Sequence, residues 1–265
     1  GQVAGFIARK VAPFRSSGFG HGYCCAQLNP NRPGHFAVMS EMADRYARIA
    51  DNIVIKIPAT KAGLAVLEDC VAKGYNVAAT VSFTVPQVLA VGAAFQRGAE
   101  RCRAAGREPG LGIAVVMVGR LDDYLRDVMH ESDGPATEED IIWAGTAAIK
   151  RAYGIFQDRG YESILMPAGC RGAYHITEIA GARMICSVAP KIAAMLDQIE
   201  GPYTECIDQP VDPAILNRLM TLPEFVKAYE PDGMSPDEFI TFGSTNRTLN
   251  QFCDNGWNPL QTLSI

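Results

Sequence analysis

The residue whose type and setting most invite chemistry is Lys56, in the run Asn52-Ile53-Val54-Ile55-Lys56-Ile57-Pro58-Ala59-Thr60. The lysine sits inside an otherwise apolar strand pattern. Alternation puts Ile53, Ile55 and Ile57 on one face and Val54 and Lys56 on the other. Burial disfavours the ammonium form and lowers the lysine pKa. A neutral amine attacks a carbonyl carbon and forms a Schiff base. The competing reading is a strand-end lysine whose stem packs while its head reaches water. Pattern alone leaves both readings open.

Two arginines follow apolar runs in the same way. Arg120 ends Val115-Val116-Met117-Val118-Gly119-Arg120, and Arg171 follows Met166-Pro167-Ala168-Gly169-Cys170. A guanidinium fork matches a phosphate or a carboxylate. Two of them on one rim would clamp a phosphorylated ligand, whereas the bland alternative is a pair of surface ion pairs. Asp122 and Asp123 lie close enough in the chain to partner Arg120. Gln27 and Thr80 are polar residues within apolar runs, so each is either a satisfied core group or a site residue. The basic stretch 97–107 reads as a solvated helix end. His21, His35, His130 and His175 have no metal-ligand spacing, no C-x-x-C pair occurs among the eight cysteines, and no metal or cofactor is expected. The histidines, Trp143 and Trp257 carry no chemical signal.

These side chains need elements to hold them. Apolar runs at 22–28, 53–58, 76–83, 112–118, 163–168 and 182–189 predict six strands, mostly continuous in hydrophobicity, as in a parallel sheet covered on both faces. Helical patterns at 35–50, 63–72, 85–102, 122–130, 137–157, 173–179 and 190–198 alternate with them. Repeated strand–helix units mean a parallel α/β fold, either a barrel or a doubly wound sheet. The G-x-G-x-x-G loop that would favour the latter is absent. In a barrel, Lys56 faces the interior near the C-terminal strand ends, where barrel active sites are built. From about residue 202 the pattern becomes helical only, at 212–220, 223–229 and 235–254, with a capping-box signature at Ser235-Pro236-Asp237-Glu238. Residues 1–14 carry Val3, Phe6, Ile7, Val11 and Phe14 at helical spacing, with no N-cap before them.

Composition narrows the classes. The 265 residues carry 24 basic and 29 acidic side chains, a formal charge of −5, which argues against a nucleic-acid partner. Hydrophobic residues make up 48%, too many for disorder. No apolar run approaches the ~20 residues of a membrane span, and no signal-peptide pattern is present. With no secretory context the cysteines are expected to be reduced, and the compartment cytoplasmic.

Residues 53–60, followed by Gly63, resemble the Schiff-base strand of transaldolases. The resemblance continues in order through residues 76–87, Val118-Gly119-Arg120-Leu121-Asp122-Asp123, Ala168-Gly169-Cys170-Arg171 and Ala180-Gly181, covering roughly residues 20–200. Phe242-Gly243-Ser244-Thr245-Asn246-Arg247-Thr248-Leu249 resembles the C-terminal part of a larger transaldolase-like subgroup. The resemblance implies a class I (β/α)8 TIM-type barrel and a Schiff base on Lys56. Cleavage of a ketose phosphate would leave a dihydroxyacetone unit on the lysine, to be passed to an aldose phosphate, as in the pentose phosphate pathway. By position, Thr80 matches the threonine that holds the catalytic water, and Arg120 and Arg171 match the phosphate-binding arginines. Gln27 falls where the family carries a catalytic glutamate, and glutamine there is similar to the fructose-6-phosphate aldolases.

The chain departs from the family pattern at several positions. Ala78 stands where many transaldolases carry asparagine, and Val115 and Gly169 stand where they carry serines. A glutamine cannot act as a general base. The aspartate of the family's first strand and the Thr-Asn-Pro-like segment of its second have no counterpart. Residues 1–201 are therefore expected to be strands 3 to 8 of the family barrel, in a piece of a longer protein, and 202–265 a helical extension packed on it. Two alternatives stay in view. One is an aldolase that cleaves without transfer, and the other an inactive barrel that only binds phosphosugars. The expected partners are small sugar phosphates, with no nucleic acid and no membrane; assembly into a homo-oligomer is left open.

Overall fold

Five of the apolar runs form parallel strands in the computed structural model, which describes residues 2–18, 20–202 and 204–262. They are β1 (Cys24–Gln27), β2 (Ile53–Pro58), β3 (Asn76–Thr80), β4 (Gly112–Val116) and β5 (Ile164–Pro167). Neighbours in the sheet are neighbours in the chain, in the order β1-β2-β3-β4-β5, and every pairing is parallel. A strict sequential order is that of a barrel wall; a doubly wound sheet reverses direction at a switch point. The α/β class read from the sequence stands, as an open five-stranded sheet among the described residues.

The helices are α1 (Gln2–Val11), α2 (Phe36–Ala47), α3 (Lys61–Ala72), α4 (Val85–Ala104), α5 (Val118–His130), α6 (Glu138–Ile141), α7 (Ala144–Arg159), α8 (Tyr174–Thr177), α9 (Pro190–Leu196), α10 (Pro213–Leu219), α11 (Pro223–Tyr229), α12 (Gly243–Phe252) and α13 (Asn258–Thr262), with a π-helix over Cys253–Trp257. Side-chain caps start the two that follow the central strands. Thr60 accepts from the Gly63 amide at 3.1 Å, and Thr84 from the Gln87 amide at 3.2 Å. Gly63 is required there because a Cβ would run into the Pro58 carbonyl. Ile53, Ile55 and Ile57 are each at most 3% exposed on the helix-covered face, and each such burial contributes on the order of 2–3 kcal/mol. No described helix is long and apolar enough to cross a membrane. All eight cysteines are free thiols.

Three expectations shift, each for a local reason. The run at 182–189 forms no strand, although the Ile185 and Ser187 amides donate to the Leu165 and Pro167 carbonyls at 3.2 and 3.0 Å. Pro167 has no N–H to return to that segment, so the ladder stays half-made. The single helix expected over 137–157 divides into α6 and α7, because the Gly145 amide donates to Asp122 Oδ1 at 2.8 Å instead of continuing the helical ladder. The helix expected over 235–254 begins only at Gly243. Ser235 makes its capping contacts to Glu238, but the chain then turns so that the Phe242 ring lies 5.1 Å from Tyr124 and 6.4 Å from Phe83. Gly243 follows because any Cβ would strike the Tyr124 ring.

The residues after 202 are fastened to the sheet's helices by matched pairs. Arg218 bonds Asp140 at 2.7 and 2.9 Å, Arg151 bonds Glu230 at 2.6 Å, and Tyr124 donates to Glu224 at 3.0 Å. The helical spacing at the start of the chain is realised as α1, whose Val3, Phe6 and Ile7 remain exposed. Gly1 lies outside the described residues.

Candidate active site

Register decides which side chains share a face. Gln27 pairs with Lys56, Lys56 with Ala78, Pro58 with Thr80, and Val115 with Met166. Paired residues of a parallel ladder point the same way, and alternate residues along a strand do too. Cys25, Gln27, Lys56 and Thr80 therefore share one face, opposite the isoleucines. Gln27, Lys56 and Thr80 lie at or near the C-terminal ends of β1, β2 and β3. Arg120, in the first turn of α5, and Arg171, in the loop after β5, flank that same edge. The five residues singled out in the sequence are thus gathered at one edge of the sheet.

Lys56 is half-buried and opens into a cleft of about 450 Å³ shared with Gln27, Arg120 and Trp257. Burial pushes the Lys56 ammonium pKa down and the Arg120 charge adds to that, while Cys25 opposes it. Gln27 donates its amide to the Lys56 backbone carbonyl at 3.2 Å, leaving its own carbonyl oxygen as an acceptor beside the lysine. Thr80 is fully buried and its hydroxyl has no hydrogen-bond partner among the described residues. The next residue, Val81, has a φ of +54°, which is costly for a β-branched side chain. Gln87 holds this turn by donating to the Val81 carbonyl at 3.3 Å and accepting from the Phe83 amide at 2.9 Å. Strain retained by its surroundings beside polar residues is a feature of functional sites.

The arginines differ in how they are matched. Arg171 donates to Asp123, by Nε at 3.0 Å and by a shorter Nη2 contact, and to the Gly169 carbonyl at 2.8 Å. Burial pushes the Asp123 carboxyl pKa up, but Arg171 and Arg126 outweigh it and hold the group below its ordinary value. For Arg171, then, the ion-pair alternative is realised. Arg120 has no carboxylate bonded to it among the described residues. Its fork reaches Gln251 closely and Thr248 at 3.5 Å, and its guanidinium lies 5.5 Å from the centre of the Phe252 ring. Burial lowers the Arg120 pKa, and the charges of Arg171 and Arg247 lower it further, while Asp123 opposes them. A second cleft of about 370 Å³ is lined by Arg120, Arg126, Arg171 and Arg247 beside Asp123 and Asp127. Gly119 lets the two rim loops meet, since a Cβ there would run into the Gly169 carbonyl.

A buried pair behind these arginines had no signal in the sequence. Asp122 Oδ2 lies 2.8 Å from His175 Nε2, with both side chains at 0% exposure, and His175 Nδ1 accepts from the Arg171 amide at 3.1 Å. Adjacent aspartates thus hold the 169–175 loop twice, Asp123 through the Arg171 side chain and Asp122 through His175. We expect His175→Ala to lower stability by about 2 kcal/mol, measured by urea unfolding, because it leaves the buried Asp122 carboxyl, whose pKa burial already raises, without the group it faces. Asp122→Ala is expected to cost a similar amount through the stranded imidazole and the freed Gly145 amide. Gln251, Phe252 and Trp257 were also missed. They come from the far end of the chain, and the only available hint was the distance of Trp257 from any regular apolar stripe.

Comparison with known proteins bears on this arrangement. The sequence profile of the Transaldolase/Fructose-6-phosphate aldolase family matches residues 9–235. A protein named Transaldolase from Vibrio parahaemolyticus serotype O3:K6 (strain RIMD 2210633) is 25% identical over 229 residues, which cover 85% of this chain and 66% of that protein. One of the same name from Glaesserella parasuis serovar 5 (strain SH0165) is 24% identical over 188 residues, 71% of this chain and 53% of that protein. Transaldolase A of Pasteurella multocida (strain Pm70) is 23% identical over 188 residues, again 71% and 53%. The chain therefore spans between 53% and 66% of the length of these curated relatives.

Proposed function

This chain belongs to the transaldolase/fructose-6-phosphate aldolase family, and from that premise we propose that it moves a dihydroxyacetone unit from a ketose phosphate to an aldose phosphate through a Schiff base on Lys56. The observation that carries the reading is Lys56 itself: a lysine of lowered pKa at the C-terminal end of a parallel strand, open to a cleft that Arg120 borders. The Lys56 amine forms a C–N bond to the ketose carbonyl carbon and expels water. The C3–C4 bond then breaks, its electron pair flows into the iminium to give an enamine, and the C4 hydroxyl proton passes to the water beside Thr80 as the aldose phosphate departs. Addition of the enamine to a second aldose phosphate reverses these steps, and water returns to release the product.

Thr80 holds the water that carries protons, a role supported by its buried, unpartnered hydroxyl. Gln27 orients the substrate hydroxyls beside the lysine, since an amide cannot take up the proton. Arg120 and Arg171 bind the substrate phosphate at the rim. The organisation that goes with this reading is a partial barrel over residues 1–201 and a helical extension over 202–265, working in the cytoplasm. Thr80→Val is expected to slow turnover by about a hundredfold, within the range for a positioned proton-transfer group. The same change should leave stability unchanged or raise it by about 1 kcal/mol, because it removes an unpartnered buried hydroxyl. Single-turnover kinetics and urea unfolding check the two halves.

A second reading is favoured by one residue. With Gln27 where a carboxylate would serve proton transfer, the chain could release its product without transfer, as an aldolase. Borohydride reduction in the presence of fructose 6-phosphate, followed by mass spectrometry, tests both enzyme readings. A stable adduct on Lys56 is the expected result, and its absence overturns them and leaves a phosphosugar-binding barrel. Cleavage of fructose 6-phosphate with and without erythrose 4-phosphate separates the two, because only a transferase needs the acceptor to turn over.

A further inference from the structure

We propose that Trp257 is a substrate-contacting residue of the Lys56 cleft: its indole N–H donates to a hydroxyl or carbonyl oxygen of the ketose chain, and its ring covers the C–H face of that chain. The inference rests on the Schiff-base reading given above. Trp257 lines the cleft that contains Lys56, Gln27 and Arg120, and it also borders a more apolar cleft beside α1 and β1. With Cys25, Gln27 and Leu260 it therefore stands between the cleft that holds the Lys56 and Arg120 cations and the more apolar one. An indole is suited to that place, with an apolar body and a single polar donor.

Three observations point the same way. First, Trp257 Nε1 is buried and has no hydrogen-bond acceptor among the described residues. Buried donors are nearly always satisfied, so a cleft-lining residue whose donor has no acceptor among the described residues is suited to an oxygen that arrives with a ligand. Secondly, Trp257 ends the π-helix over Cys253–Trp257, where the Asn258 amide reaches back five residues to the Cys253 carbonyl. Such turns are rare and recur at functional sites, because the extra residue re-aims side chains out of helical phase. Thirdly, the segment is fastened at both ends across the mouth of the site. Gln251 accepts from Arg120, Phe252 lies under the same guanidinium, and Asn258 accepts from Asn31, in the loop after β1, at 3.3 Å. The segment that carries the indole is thus held by the rim arginine on one side and by the loop after β1 on the other.

The acceptor it would recognise is a polyol oxygen rather than a phosphate, because the cations of the rim already serve an anion and the indole carries no charge. Trp257 would therefore act on the carbon chain held at Lys56 and leave phosphate recognition to the arginines.

The test compares the parent chain with Trp257→Phe, which keeps an aromatic ring and removes the donor. Borohydride trapping of Lys56 is followed by mass spectrometry over a range of fructose 6-phosphate concentrations. The concentration for half-maximal trapping should rise about three- to tenfold in the variant, the loss of one neutral hydrogen bond, while the extent of trapping at saturation is unchanged. A purely structural role would lower the extent trapped or the thermal midpoint, leave the half-maximal concentration unmoved, and overturn the inference. Fluorescence supplies a measurement that does not depend on the variant. In a Trp143→Phe background the emission of Trp257 should change on adding fructose 6-phosphate, with the same half-maximal concentration as trapping. An emission that stays constant while Lys56 is trapped overturns the inference and leaves the Schiff-base reading intact. Failure of the parent chain to trap at all overturns that reading, and this inference with it.

Discussion

Lys56→Met is expected to abolish the borohydride-trapped adduct and to lower turnover by more than about a thousandfold, while the protein stays folded and becomes no less stable. The size follows from the lysine's place. Its amine is held at the strand end beside the substrate cleft, and an amine in solution cannot match the effective concentration of an oriented intramolecular group. The stability half follows from burial. A half-buried ammonium with no carboxylate bonded to it is disfavoured by desolvation, and Arg120 repels it further. Methionine has similar length and no charge, so it removes that penalty. Activity lost with stability kept or gained is the mark of a residue retained for chemistry.

The same lysine sets a pH dependence whose sign can be worked out. Its pKa lies below 10.5, the ordinary value for lysine, in the fold and returns to it on unfolding. Between those two values the unfolded chain binds more protons than the folded one. The free energy of unfolding therefore rises with pH through that window, as far as Lys56 contributes. Below the lowered pKa the lysine is charged in both states and its penalty is fully present. The fraction of neutral, nucleophilic amine in the fold rises as the pH approaches the lowered pKa, at the lower edge of that window. Trapping rates should climb with pH until the lowered pKa is passed, and Lys56→Met should flatten the lysine's share of the stability profile. Trapping kinetics and urea unfolding at a series of pH values check both.

Arg120→Gln is expected to cost about a hundredfold in kcat/KM for phosphorylated substrates, and far less for the unphosphorylated ketose. The reasoning turns on how the rim charges are already matched. Arg171 is paired with Asp123, whereas the bonds of Arg120 are to neutral oxygens of Gln251 and Thr248. Its charge is crowded by Arg171 and Arg247, so an arriving dianion relieves repulsion as well as gaining charge-assisted bonds. Each such bond contributes on the order of 1.5–3 kcal/mol, which sets the hundredfold scale. Arg171→Gln should show a smaller loss, because the Arg171 guanidinium is already engaged by Asp123, and that carboxylate keeps Arg126 as a partner when Arg171 is removed. Raising the ionic strength should weaken binding in the parent more than in Arg120→Gln. Steady-state kinetics with phosphorylated and unphosphorylated substrates over a salt series provides the comparison.

How much of this was legible in the sequence varies by element. Strands β2 to β5 could be read as continuous apolar runs because a parallel sheet covered on both faces asks little else of its residues. The sixth run read equally well and failed as a strand, since whether Pro167 faces a partner is a question of register. The division of the helix after Thr137 was hidden for a similar reason: it depends on an Asp122 carboxylate 23 residues away in the chain. The capping box at Ser235 was real as a local contact and did not extend into a helix, because Phe242 gains more by packing against Tyr124 and Phe83 than by continuing one.

Chemical type and strand phase were written in the sequence. Lys56 could only lie opposite the three isoleucines, and Arg120 and Arg171 could only follow their strands, because alternation and chain order are local properties. What the tertiary structure alone decided is who partners whom. It paired Arg171 with Asp123 and left Arg120 free of a carboxylate, buried His175 against Asp122 to hold the arginine loop, and brought Gln251 and Trp257 from the far end of the chain to the lysine. Those choices depend on desolvation and on contacts between residues more than 40 positions apart. No local spacing records such terms, so the sequence named the candidate groups and the fold determined how each is held, screened and charged.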